Sequence, residues 1–325
     1  MKRRNFIALL GSAAAWPLAA RAQQPAFPVI GFLSSLSSGE NSHLVAAFRE
    51  GVSEVNSVAG QGIRYEYRYA DGDYQRLPAM ASELVRQRVT LIAAGAPPAA
   101  LAAKEATSTI PIVFVVGFDP VRAGLVASYN RPGGNATGFC LITSPLGQKR
   151  LEVILELMPK ARVISMLVNP TNPDTSTEVE DARAATIANG RQLDPVNAST
   201  ASEIDAAFAH AANRHADGLI VDSDPFFLTQ REQFAALAAR YAIPVVYPFR
   251  EFVAAGGLLS YGTSLAGAYR QVGRYAGRIL KGEKPGDLPV VQPTTFEIVV
   301  NLRTANSLGI ALPAALHARA DEVIE

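Results

Sequence analysis

Short apolar runs, each ending in a loop of small or polar residues, alternate along this chain with longer stretches that are apolar on one side only. Val29 to Leu33, Leu91 to Gly95 and Ile112 to Val116 are runs of the first kind. Their length, β-branching and Gly/Pro boundaries predict strands buried on both faces. Between them, Leu44, Phe48, Val52 and Val55 recur close to the helical period, as do Leu77, Met80, Leu84 and Val85. Ile63 to Ala70 alternates apolar or aromatic with charged residues, as an outer strand would. Asp119-Pro120 follows the Ile112 run and predicts a capped, proline-started helix. The Arg131-Pro132-Gly133-Gly134-Asn135 turn then leads into a strand from Ala136 to Cys140.

The alternation then starts again. Pro145 to Leu157 reads as a helix, Val163 to Val168 as a buried strand and Gln192 to Asn197 as a weaker one. Gly218 to Val221 is a further strand, and Asp224-Pro225 repeats the Asp119-Pro120 step. Val245 to Phe249 and Leu258 to Tyr261 follow. Leu265 to Leu280 is strongly amphipathic, with Arg270, Arg274 and Arg278 on a face read as solvated. Strand–helix alternation implies parallel, doubly wound sheets, and its recurrence implies two lobes.

The ends and the charge narrow the class. Lys2, Arg3 and Arg4 precede an apolar stretch and the small-x-small Ala20-Arg21-Ala22, which together form an export signal over 1–22. Arg3-Arg4 before Phe6-Ile7 resembles a twin-arginine signal, with the general export route as the alternative. Cleavage after Ala22 would remove four of the 30 basic residues and no acidic one, leaving 26 against 29. No basic field points to nucleic acid. The apolar stretch is too short for a bilayer, which needs about 18 or more residues. The single cysteine, Cys140, predicts a buried, inert thiol. A soluble periplasmic protein is the expectation.

Catalytic signatures are poor. His43, His210, His215 and His317 are scattered, and no clustered metal set stands out. Gly257 to Gly262 carries one residue too many before Ser260 for a nucleophile elbow. Gly133 to Gly138 lacks the Lys-Ser/Thr of a phosphate loop. An exported α/β hydrolase is the weakest reading, and neither a metal nor a cofactor is expected.

Several motifs in order resemble the substrate-binding proteins of ABC transporters, whose better-known members bind tryptophan and related aromatic amino acids. They are the Gly31-Phe32-Leu33 strand with its serine loop, Ile110-Pro111-Ile112-Val113-Phe114 with Asp119-Pro120-Val121, and Pro132 to Gly138. Ile279 to Pro285 and Asn301 to Ala305 with Leu308-Gly309-Ile310 complete the set. The resemblance implies two Rossmann-like lobes flanked by helices, a hinge of several crossings and a ligand cleft between the lobes. It places 27–140 plus 261–286 in lobe one and 141–260 plus 287–325 in lobe two. It further implies a monomer that delivers a small-molecule ligand to an inner-membrane permease and does no chemistry. A ligand sensor for a membrane receptor shares the fold and stays open as an alternative.

Strand-end loops carrying hydroxyls, amides and exposed N–H groups are what a cleft needs. On lobe one these are Ser34, Ser35, Gly95, Ala96, Phe118, Asp119, Asn135 and Thr137. On lobe two they are Asn169, Asp222, Ser223, Tyr247, Tyr261 and Thr263. Phe118, Tyr247 and Tyr261 are candidates to stack on a flat ligand. In the amino-acid-binding members an Asp follows the glycine matching Gly262 and pairs with the ligand's ammonium. Thr263-Ser264 stands there in this chain. A buried ammonium requires a carboxylate, so either Asp119 or Asp222 substitutes or the ligand is another small organic molecule, such as an acid or amide.

Overall fold

The computed structural model describes residues 27–39, 42–56, 62–141, 143–172 and 175–325. The export signal read over 1–22 lies outside them. The first sheet has five parallel strands: β1 (Val29–Ser34), β2 (Arg64–Tyr69), β3 (Leu91–Gly95), β4 (Ile112–Val116) and β5 (Ala136–Cys140), ordered β2-β1-β3-β4-β5. Helices α1 (Ser42–Asn56), α2 (Leu77–Arg86) and α3 (Pro97–Ala106) connect them. Strand β4 is buried throughout, as its unbroken apolar sequence requires when both faces are covered. Edge strand β2 keeps the alternating pattern; Tyr65, Tyr67 and Tyr69 stack along one face with ring centroids about 6 Å apart.

The second half repeats the plan. It comprises α4 (Thr143–Leu157), β6 (Val163–Val168), α5 (Thr175–Ala188), β7 (Gln192–Asn197), α6 (Ala201–Asn213) and β8 (Gly218–Val221). Then come α7 (Pro225–Thr229), α8 (Arg231–Tyr241), β9 (Val245–Tyr247), α9 (Arg250–Ala254) and β10 (Leu259–Gly262). After α10 (Leu265–Leu280), the chain adds β11 (Glu297–Asn301), α11 (Leu302–Ser307), α12 (Ala314–Arg319) and β12 (Glu322–Ile324). The sheet order is β12-β11-β10-β9-β8-β6-β7, and only the β10–β11 pair among these is antiparallel. Strands β6 to β10 therefore reproduce the order of β1 to β5. In each sheet the order reverses direction beside the first strand of the unit, and such switch points open a crevice at the strands' carboxyl ends.

Three segments join the halves. Leu141 leads from β5 toward α4, Thr263 leads from β10 into α10, and 291–297 leads into β11. They are tied together: the Thr263 hydroxyl donates to Leu141 O at 3.3 Å, and Val291 bridges Phe139 at the edge of β5. Gly262 is required here because a Cβ would lie 1.9 Å from Pro248 O. Helix α10 crosses back to pack on α1, where Arg270 and Arg274 both pair with Glu54 while Arg278 pairs with Glu283. The arginine face stays partly exposed, as read, and Arg270 and Arg274 form an ion-paired seam with α1 along it.

One expected element does not form. After Asp119-Pro120 the chain makes a turn, not a helix. Asp119 Oδ1 caps the N–H groups of Val121 and Arg122, but Gly124 adopts φ 72° and Leu125 and Val126 both donate back to Pro120 O. The cap and the proline start a turn that a left-handed glycine ends at once. Helices α9 and α12 and strand β12 were not legible; at three to six residues they are too short to show a period.

Candidate functional site

The carboxyl ends of the two sheets face each other across a cleft that encloses about 460 Å³, part of it open to solvent. Its floor is apolar. From the first half come Leu36 after β1, Leu44 on α1 and Val115 on β4, from the second Leu228 on α7 and Phe249 after β9, and from the crossings Leu141, Leu265 and Tyr269. Polar atoms enter mainly through Ser223 and Asp224 at the end of β8.

Asp224 joins the two sides. Its carboxylate is buried. It accepts from Asn169 Nδ2 (3.0 Å), Asn172 Nδ2 (2.9 Å), the Phe227 N–H (3.2 Å) and, from the opposite half, the Tyr74 hydroxyl (3.0 Å). Tyr74 in turn accepts the Phe226 N–H at 3.2 Å. Burial pushes the Asp224 carboxyl up to about 6, against the pull of its donors. A second contact spans the halves at α1 and α9, where His43 Nε2 and Glu251 Oε1 are 3.2 Å apart.

Beneath Ser223 lies a buried charged cluster. Arg150 donates from Nη2 to Ser223 Oγ and from Nε to Tyr261 O, and its Nη1 stands 3.9 Å from Glu178 Oε2. Asp222 accepts from the Ser223 N–H and the Thr175 hydroxyl. Burial and the facing Glu178 carboxyl push Asp222 well above the usual carboxylate range. Neither Glu178 oxygen receives an N–H or O–H donor.

The expected site residues scatter over this frame. Ala96 and Ser223 line the cleft. Ser34 and Ser35 are buried at the end of β1; Ser34 Oγ caps Leu36, and Ser35 Oγ is buried without a partner next to the cleft-lining Leu36. Gly95 leaves room for Tyr269, whose hydroxyl would meet a Cβ at 2.5 Å. Asn169 orients Asp224, and Thr263 clasps the crossing at Leu141. Others have different work. Asn135 sits at the amino end of β5, opposite the cleft, holding Thr107 O, Ile110 O and Lys104. Thr137 donates to Leu288 O. Phe118 packs on the core of the first half, and Asp119 is exposed in its own turn. Tyr247 is fully buried and stacks on Phe252 at 4.9 Å, and Tyr261 packs toward Phe296. Sequence reasoning missed Tyr74 and the apolar floor, because an apolar cleft lining has the same residue types as a core. Asp224 was legible as a cap but not as a contact between lobes.

Ala96 is under backbone strain. It adopts φ 87° and ψ 158°, a region nearly reserved for glycine, immediately before Pro97. Ala96→Gly should stabilise the protein by about 1 kcal/mol, read as a raised midpoint in urea; an unchanged or lowered midpoint would show that the strain is absent.

Two α/β lobes with matching strand order, three crossings and a cleft between their carboxyl edges define a two-lobed ligand-binding protein. A family model described as ABC transporter substrate binding protein matches residues 30–324, and the chain belongs to that family. It is thus a substrate-binding protein of the ABC-transporter type. A tyrosine-binding protein of Clostridioides difficile is 29% identical over 249 residues, 77% of this chain and 71% of the relative. The solved structure of an ABC domain in complex with L-Trp from Streptococcus pneumoniae is 25% identical with a TM-score of 0.84, covering 92% of this chain and 100% of that one. A conserved domain protein from Vibrio cholerae gives the same TM-score and identity over 91% and 99%. Among the described residues, no helix is long and apolar enough to cross a membrane and no cluster of three or more His, Cys, Asp or Glu is placed to hold a metal.

Proposed function

We propose that this protein captures a small molecule with an apolar body between its lobes, closes on it and delivers it to an inner-membrane permease without chemical change. The observation that carries this reading is the cleft itself: an apolar floor drawn from both halves, bridged by Tyr74–Asp224 and His43–Glu251. Bonds that span two lobes form only when the lobes meet, so they are the contacts of a closed state. The lobes turn about the crossings at Leu141, Thr263 and 291–297, which places 27–140 with α10 in one moving body and the second sheet in the other. An apolar floor of this kind suits an aromatic or branched side chain, which it desolvates on closure. The tyrosine- and tryptophan-binding relatives support an aromatic amino acid as the first ligand to try. The leader over 1–22 supports a periplasmic location, and the protein acts as a monomer.

A thermal-shift screen of the chain from Gln23 onward tests this. Ligand at 100 times its dissociation constant should stabilise the protein by about 2.7 kcal/mol. A hit among L-tyrosine, L-tryptophan or other apolar small molecules supports capture. No stabilisation by any of them, together with turnover of one, would replace this reading by an enzyme.

A further inference from the structure

Among the described residues, three side chains bring polar atoms to the cleft lining: Ser223, Asp224 and Tyr269. Tyr269 turns its hydroxyl toward β3, where Gly95 leaves room for it. Asp224 accepts four hydrogen bonds, two on each oxygen, which fills its capacity. A donor on a ligand finds no open acceptor there.

Ser223 is the reverse case. It lines the cleft with 8% of its surface exposed. Both of its backbone groups are committed elsewhere: the N–H donates to Asp222 Oδ1 at 2.6 Å, and the carbonyl accepts from Asn172 Nδ2 at 3.3 Å. The hydroxyl oxygen accepts from Arg150 Nη2 at 3.1 Å. A hydroxyl that accepts from a guanidinium keeps its own proton for another acceptor. Among the described residues, none takes that proton. Ser223 therefore brings to the cleft lining a donor without a target.

Two features set the sign of what it meets. Behind Ser223, Arg150 is a fully buried cation, and its donation polarises the hydroxyl away from itself. Glu178 stands 3.9 Å from the other terminal nitrogen without a hydrogen bond, so it compensates that charge only in part. In front, two helices begin at the cleft: Ala96 and Pro97 open α3, and Leu265 opens α10. Helices of 10 and 16 residues direct the positive ends of their dipoles there. Asp224 opposes this field, but its charge is spread over four donors. The free donor and the field agree on an acceptor that carries negative charge.

Resting on the capture reading above, we propose that Ser223 recognises a carboxylate: its hydroxyl, backed by Arg150, donates to the acid end of the ligand, whose apolar body lies on the Leu44–Phe249 floor. Specificity then resides in the acid end. Aromatic amino acids qualify through their carboxylate, and so do acids of the same shape that have no amine.

Calorimetric titrations of the mature chain test this by comparing L-tryptophan and indole-3-propanoate with tryptamine and 3-ethylindole, which lack the carboxylate. Wild type should bind the two acids about 10- to 100-fold more tightly, the range of one hydrogen bond to a charged group. Ser223→Ala should weaken the acids about tenfold or more and leave the other two unchanged, whereas a purely structural loss would weaken all four alike. The wild-type comparison needs no variant, so it stands even where Ser223→Ala folds poorly for want of Arg150's acceptor. Equal binding of both pairs by wild type overturns the proposal and leaves capture intact. So do equal losses in both pairs, or no loss for the acids, on Ser223→Ala. Binding of none of the four overturns it too, and capture falls with it only when no other small molecule stabilises the chain.

Discussion

Asp224→Ala is expected to lower the melting temperature at pH 7.5 by roughly 5–10 °C and to weaken ligand binding at least about tenfold. Four buried donors lose their acceptor together: the Tyr74 hydroxyl, the side-chain amides of Asn169 and Asn172, and the Phe227 N–H. Each buried group left unsatisfied costs about 1–3 kcal/mol, and the loss of the α7 cap belongs to the same sum. Against this stands the relief of removing a desolvated carboxylate, so the net is about 2–3 kcal/mol. The binding loss follows because Tyr74 is the first lobe's half of this contact. The pH dependence separates the charge from the geometry. Burial raises Asp224 from 3.8 to about 6, so the native protein holds a proton that the unfolded chain has released. Its contribution to stability is therefore greatest below about pH 4, declines as pH rises toward 6 and is constant above, a total change on the order of 3 kcal/mol. Asp222, also raised, acts in the same direction. Asp224→Asn removes the Asp224 share, so the difference in melting temperature between wild type and Asp224→Asn should itself change between pH 4 and 6. A difference independent of pH, with ligand affinity unchanged in Asp224→Ala, would remove Asp224 from lobe closure.

Gly273→Val should destabilise the first lobe by at least about 3 kcal/mol. Helices α1 and α10 touch backbone to backbone: a Cβ at Gly273 would lie 2.1 Å from Phe48 O, and one at Gly51 would lie 1.9 Å from Arg270 O. No rotamer relieves such an overlap, so the helices must separate. That unpacks Phe48 and Val52 from Val272 and Ala276, and it separates the Glu54 carboxylate from Arg270 and Arg274. Gly267, six residues earlier on α10, provides the control. A Cβ there meets only Ser264 at 3.5 Å, so Gly267→Ala should be neutral or stabilise by up to about 1 kcal/mol. Chemical denaturation of the two variants measures the contrast. Similar midpoints for both would mean that the close approach of the helices is not required.

How much of this was legible in the chain depends on the range of each interaction. Strand β4 and helix α10 announce themselves, the first by five consecutive apolar residues, the second by a period of 3.6 that holds over 16 residues. Asp224-Pro225 reads as a helix start because a cap acts within three residues. The same signal at Asp119-Pro120 misleads, because Gly124 and the return to Pro120 O end the turn before a helix propagates. The site was less legible. Tyr247 and Asn169 occupy strand-end positions alike, yet one is sealed under Phe252 and the other orients Asp224. Tyr74 and Glu251 carry no local sign of their roles; each is defined by a partner at least 150 residues away in the chain.

The amino-acid sequence by itself determined the two α/β units, the amphipathic helix that ties them and the absence of recognisable catalytic motifs, because strands, helices and turns follow from spacing and backbone preference over a few residues. Only the tertiary structure decided which strand ends face the cleft, that its floor is apolar and that Asp224 takes one of its four donors, the Tyr74 hydroxyl, from the other lobe. Desolvation and hydrogen-bond satisfaction depend on what distant segments place around a group, and a carboxylate has the same letter in the sequence whether it is paired, neutral or waiting for a ligand.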